Sequence, residues 1–75
     1  METLDLHRKR HSDVERSVIG FVEKNFNTGV KGRIITGHSK AMKDLVIKVL
    51  EEYNLEYRIG DMFGQNLGII EIDEM

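Results

Sequence analysis

The 75-residue chain has no cysteine, no proline and no long apolar run. Without cysteine no disulfide can staple the fold, although a domain of this size buries only about 60% of the surface its unfolded chain exposes. The absence fits a reducing compartment. No apolar stretch approaches the roughly 18 residues of a membrane-spanning helix. The start, Met1-Glu2-Thr3-Leu4-Asp5, lacks the basic residues and apolar core of a secretory signal. The expectation is a cytoplasmic protein with no membrane partner. No repeat, linker or low-complexity segment interrupts the chain, so residues 1–75 read as a single domain. At 40% hydrophobic and 32% charged residues it is too apolar and too periodic to be disordered.

A net charge of −2 argues against a crudely basic nucleic-acid binder, but the charge is unevenly spread. Residues 1–50 hold ten Lys/Arg and six Asp/Glu, a balance of +4, whereas residues 51–75 hold one Arg and seven acids, a balance of −6. Such polarity gives a basic working edge and an acidic back. It is equally what a short solubilising acidic tail would produce.

Hydrophobic period divides the chain into six elements. Residues 3–7 alternate, with Leu4 and Leu6 toward a core and Thr3, Asp5 and His7 away from it. A basic loop, Arg8-Lys9-Arg10-His11, follows. Ser12 and Glu15 have the spacing of a capping box, which predicts a helix from Ser12. Val14, Val18, Phe21, Val22 and Phe26 form one face of it, and Asn27-Thr28-Gly29 stops it, with Gly29 suited to a left-handed exit. Arg33 to Thr36 reads as a second strand. Ser39 caps a second helix running to about Tyr53, with Met42, Leu45, Val49, Leu50 and Tyr53 on its face, Val46 beside them, and Asn54 ending it. Residues 55–59 alternate as a third strand, residues 60–66 form a polar turn containing glycine, and residues 68–72 are a fourth strand.

The order β-α-β-α-β-β predicts an α/β two-layer sandwich, a four-stranded mixed sheet carrying two helices. Strand–helix–strand units imply parallel pairing with right-handed crossovers, and the last two strands an antiparallel hairpin. The strand order is not readable. Ile35 and Ile69 are placed on the open face, where they either dock a partner or are covered by neighbouring side chains.

In such a sheet ligands gather beyond the carboxyl ends of the parallel strands. That edge receives His7, Arg8, Lys9, Arg10 and His11 from one loop and Gly37, His38, Ser39 and Lys40 from the other, together with two helix N-termini. Phosphate is the natural guest of that combination. Asp5 and His7, two residues apart on a strand, point to the same side. A carboxylate beside an imidazole fixes its tautomer and suits it to proton transfer. The same pair could serve a divalent metal, or be only the solvated polar face of an edge strand. Arg8, Lys9 and Arg10 are either phosphate contacts or ordinary solvated surface. His38 beside Gly37 divides in the same way, and His11 reads as an exposed loop residue.

Taken together these residues resemble the small MutS-related, or Smr, domain family. Leu4-Asp5-Leu6-His7 resembles that family's opening Leu-Asp-Leu-His-Gly motif. Ile34-Ile35-Thr36-Gly37, followed by His38-Ser39, resembles its second motif. Lys43, Leu45, Val46 and Leu50 fall where the family has its second helix, and Gly68-Ile69-Ile70-Glu71-Ile72 resembles its closing strand. The resemblance covers about residues 3–73. It implies a fold like the C-terminal domain of translation initiation factor 3 and DNA or RNA binding. It further implies endonuclease activity, with Asp5 and His7 catalytic and Gly37, His38 and Ser39 in the binding loop. The sequence departs from the pattern at Arg8, which replaces a glycine, and at Gly37, which runs into His38 without a second glycine.

Three functions follow as expectations: a nuclease holding phosphates with Arg8, Lys9, Arg10 and Lys40; a nucleic-acid- or ribosome-binding module without chemistry; or a protein-interaction domain. A cofactor is left open, with Mg²⁺ and Mn²⁺ the candidate ions.

Overall fold

The structure, a computed structural model, describes residues 1–60 and 67–75. The chain runs β1 (Glu2–Asp5), α1 (His11–Asn25), β2 (Gly32–Ile35), α2 (Lys40–Glu52), β3 (Tyr57–Ile59) and β4 (Ile69–Ile72). This is the expected α/β order. The predicted turn over residues 60–66 lies outside the described residues except for Gly60, whose φ is +95°.

The four strands form one mixed sheet in the order β1-β2-β4-β3. β1 lies parallel to β2, with Leu4 opposite Ile34 and Asp5 opposite Ile35. β4 runs antiparallel to both β2 and β3, so β1, β2 and β3 share one direction. Leu6, Ile34, Ile70 and Ile72 pack with Val14, Val18 and Val22 of α1 and with Met42, Val46, Val49 and Leu50 of α2 in one core. Both helices therefore cover the same sheet face. Met75 adds to the core beside Gly32, where a β-carbon would stand 2.8 Å from its methyl.

Several expectations are corrected. β1 is Glu2–Asp5 rather than residues 3–7, although the Leu6 N–H still donates to the Ile35 carbonyl at 2.8 Å. α1 begins at His11 with Arg10 as N-cap and no side-chain cap bond. Ser12 already lies inside the first turn, so no capping box forms. Phe26 is 42% exposed. It leaves the core because the helix ends at Asn25, and its ring instead meets Tyr53 at a centroid distance of 5.8 Å. At the α1 exit Asn27 takes a left-handed φ of +62° as well as Gly29 at +75°. In α2 it is Val46, not Leu45, that is fully buried.

The ends of α2 form as expected. Ser39 Oγ accepts the Met42 N–H at 3.2 Å. At the other end Asn54 takes φ +57°. There the Leu55 N–H reaches the Leu50 carbonyl and the Asn54 N–H the Glu51 carbonyl, both at 3.0 Å. That pair of bonds is a Schellman motif, which satisfies carbonyls the helix would otherwise leave open.

On the open sheet face Glu71 is 5% exposed. Its Oε2 accepts from Arg33 at 2.7 Å and 3.2 Å, and its Oε1 from Arg58 at 3.1 Å. Arg58 continues the row to Asp73 at 2.6 Å. The hydrogen bonds from Arg33 hold the Glu71 carboxyl below its ordinary value of 4.5, with Arg58 adding to the effect. A depressed folded pKa supplies stability that is present above the unfolded pKa and lost as pH falls through the folded one. Glu71→Gln is expected to lose about 1–2 kcal/mol near neutral pH, at the low end for charged hydrogen bonds because both guanidinium groups are partly solvated. Urea titrations from about pH 7 to about pH 2 check this: the gap between variant and wild type should narrow steadily as pH falls through the folded value. A gap that stays constant over that range would assign the loss to packing instead.

Candidate nucleic-acid interface

Because β1 and β2 are parallel neighbours, the loops that follow them emerge side by side. Gly37, with φ +68°, adopts a backbone that favours glycine, and a β-carbon there would stand 3.7 Å from the His7 β-carbon. The structure thus brings together the two motifs, 30 positions apart, at one edge.

Asp5 and His7 meet, but not by strand alternation. β1 has ended, and the chain turns so that the His7 N–H donates to Asp5 Oδ1 at 3.1 Å while His7 Nδ1 bonds the same oxygen. This is an Asx-type turn. Among the described residues the ring's Nε2 makes no hydrogen bond. The two side chains are 46% and 53% exposed, so the pair is open to a large ligand. Hydrogen bonding to the His7 ring holds the Asp5 carboxyl below its ordinary value, helped by the His7 N–H and by Arg8. An ionised Asp5 at Nδ1 favours the neutral tautomer protonated there. The Nε2 lone pair is then free to accept a proton.

Arg8, Lys9 and Arg10 are exposed in the loop, which is braced by the Lys9 N–H on the Leu6 carbonyl at 2.9 Å. Among the described residues none of the three forms a salt bridge. Exposed His11 starts α1, and exposed His38 sits beside Gly37. Ser39 is occupied as the α2 cap. Lys40 Nζ is bonded to Asp44, one turn along α2, at 2.9 Å. The Gly37 N–H is likewise engaged, donating to the Gly68 carbonyl at 3.0 Å. Of the phosphate contacts expected from the second loop, two donors therefore already have partners.

The opposite edge is acidic. Glu51 and Glu52 at the end of α2, Glu56 before β3, and Asp73 and Glu74 after β4 are all exposed there. One concavity at that edge is lined by Asn27, Thr28, Gly29, Glu74 and Met75, another by Asn54, Leu55, Glu56, Asp73 and Glu74. The charge imbalance between the chain's halves becomes a basic and an acidic pole of one body.

Among the described residues no group of three His, Cys, Asp or Glu side chains is placed to hold a metal ion. Asp5 and His7 alone, already bonded to each other, do not make a protein-built cage for Mg²⁺ or Mn²⁺. Two residues named in the sequence motifs but given no site role also enter the site. Gly68 anchors the Gly37 loop, and the hydroxyl of buried Thr36 donates to the Gly37 carbonyl at 2.8 Å. The available signal was the glycine directly preceding the Ile-Ile-Glu-Ile run. The pairing of that run with β2 cannot be read locally.

Compared with models of known protein families, with curated proteins and with solved structures, the chain matches none. What fold and site define is a small α/β domain with an exposed Asp–His pair on a basic edge.

Proposed function

We propose that this chain is a nucleic-acid-binding domain of the Smr type that hydrolyses phosphodiester bonds in DNA or RNA at the β1–β2 edge. The observation that carries the reading is the exposed Asp5–His7 pair set directly beside Arg8, Lys9 and Arg10, which form no salt bridge among the described residues. The basic side chains hold backbone phosphates on either side of the bond to be cut. His7 Nε2 takes a proton from the attacking water as its oxygen bonds phosphorus. The phosphorus–oxygen bond to the leaving sugar then breaks, and that oxygen takes a proton from solvent. Asp5 keeps the ring in the receptive tautomer and stabilises the imidazolium that forms.

The acidic pole assists by orienting the domain. A charge-polarised body approaches a polyanion basic edge first, which raises the association rate at low salt. A titration against labelled single- and double-stranded DNA and RNA, with products resolved on gels with and without Mg²⁺ or Mn²⁺, tests the proposal. Cut product supports it, and absence of both binding and product rejects it.

A second reading is favoured by one observation. The Gly37 N–H, which would otherwise help cradle a phosphate, is spent on Gly68. A binding module without chemistry then remains, for nucleic acid or the ribosome, and it predicts affinity without product. In either reading Arg8→Ala and Arg10→Ala weaken binding across all sequences. The log–log salt dependence becomes shallower by about one for each phosphate contact removed. An unchanged salt slope in the double variant would move the binding surface elsewhere.

A further inference from the structure

The end of β2 is fastened to the start of β4 through one backbone atom. The Gly68 carbonyl accepts the Thr36 N–H at 2.9 Å and the Gly37 N–H at 3.0 Å, and Thr36 Oγ1 stands 3.2 Å from it. The same hydroxyl donates to the Gly37 carbonyl at 2.8 Å, and Thr36 is 2% exposed. Gly37 is therefore held on both sides, by its own N–H and by its own carbonyl, although it sits in a surface loop. A buried hydroxyl bonded to two carbonyls is costly to leave without those partners. Its geometry is correspondingly firm.

What this clamp supports is His7. Among the described residues the hydrogen bonds of His7 all go to Asp5, two positions away in the same exposed turn. The turn is anchored at Leu6, which is fully buried and donates its N–H to the Ile35 carbonyl, and a β-carbon added at Gly37 would stand 3.7 Å from the His7 β-carbon. The exposed ring beyond that anchor has the clamped Gly37 peptide beside it. We infer that Thr36 is a positioning residue for the Asp5–His7 pair, acting through the Gly37 peptide that it locks to the Gly68 carbonyl. The inference rests on reading that pair as the working group of the site. Thr36 itself touches no substrate.

The consequence is readable without substrate. Long-range proton–nitrogen NMR of the His7 ring reports which nitrogen carries the proton near neutral pH. Wild type is expected to favour Nδ1–H, facing Asp5. Thr36→Val, which keeps the shape and removes the hydroxyl, is expected to lower that preference by up to about tenfold, the worth of the whole His7–Asp5 hydrogen bond. Thr36→Ser should restore it. Gly37→Ala leaves every side-chain bond in place and strains only the peptide, and it is measured alongside. Folding of each variant is read from its amide spectrum. A His7 tautomer unmoved in whichever of Thr36→Val and Gly37→Ala is folded overturns the inference, as does a loss that Thr36→Ser fails to restore. The nucleic-acid reading stands or falls separately, since no nucleic acid is present in these samples.

Discussion

His7→Ala is expected to reduce phosphodiester cleavage by about 10²–10⁴-fold, the usual contribution of a positioned general base, while leaving the fold and nucleic-acid affinity almost unchanged. The second half of the expectation follows from exposure. The His7 side chain is 46% exposed and hydrogen-bonds only within its own turn among the described residues, so its removal falls within the roughly 0.5 kcal/mol typical of surface changes. In the proposed reading affinity is carried by Arg8, Lys9 and Arg10, which the substitution does not touch. Asp5→Asn separates the parts further. The amide can present either an oxygen or an N–H to Nδ1, so the tautomer is no longer enforced and a partial loss results. Gel-resolved product formation, with binding measured on the same samples, decides between the outcomes. If folded His7→Ala cuts as fast as wild type, this edge is not where the bond is broken. Loss of cleavage together with loss of binding would instead make His7 a contact residue.

The parts of the fold legible in the sequence were those set by local period and local chemistry. Alternation placed Leu4 and Leu6 toward the core and Asp5 away from it, and the helical spacing of Val14, Val18 and Val22 identified the buried stripe of α1. Ser39 and Asn54 marked the ends of α2 because each acts within a few residues of itself. Ser12 misled because its spacing to Glu15 is also compatible with the interior of a first turn. Whether Arg10 or Ser12 leads the helix depends on how the loop leaves β1. The pairing of Asp5 with His7 was expected from strand geometry but arises in a turn, since β1 stops at Asp5. The meeting was legible and its cause was not.

What could not be read were the contacts made across the sheet. Arg33 and Glu71 lie 38 positions apart and become partners only when β4 inserts between β2 and β3. That insertion also brings the Gly68 carbonyl to Thr36 and Gly37. The candidate site is thus a local Asp–His turn and a local basic loop, both visible in the sequence, supported by a long-range anchor that no window of residues contains. The geometry of such an edge depends on the strand order, although none of its candidate residues lies on β4.

That dependence makes the core the second place where a single change is expected to have a large effect. Leu50 is fully buried where α2 meets the sheet, and its carbonyl accepts the Leu55 N–H in the turn that ends the helix. Partly buried Leu55 packs against the same core. Leu50→Ala removes three carbon atoms from a close-packed site and leaves a cavity, a change that costs about 2–5 kcal/mol. A domain of this size has a total stability of only roughly 4–11 kcal/mol, so the loss takes up a large part of it. The melting temperature should fall by at least about 8 °C, at about 4–8 °C for each kcal/mol in a domain of this length. Leu67, 51% exposed, is the matched control, and Leu67→Ala should shift stability by less than about 0.5 kcal/mol. Thermal and urea unfolding followed by circular dichroism measures both. Equal losses at the two positions would contradict the assignment of Leu50 to the core. A large loss at Leu50 with Leu67 unaffected would place the stability of the whole domain in the α2–sheet contact. At temperatures where the Leu50→Ala domain is still mostly folded, cleavage per folded molecule should then equal that of wild type.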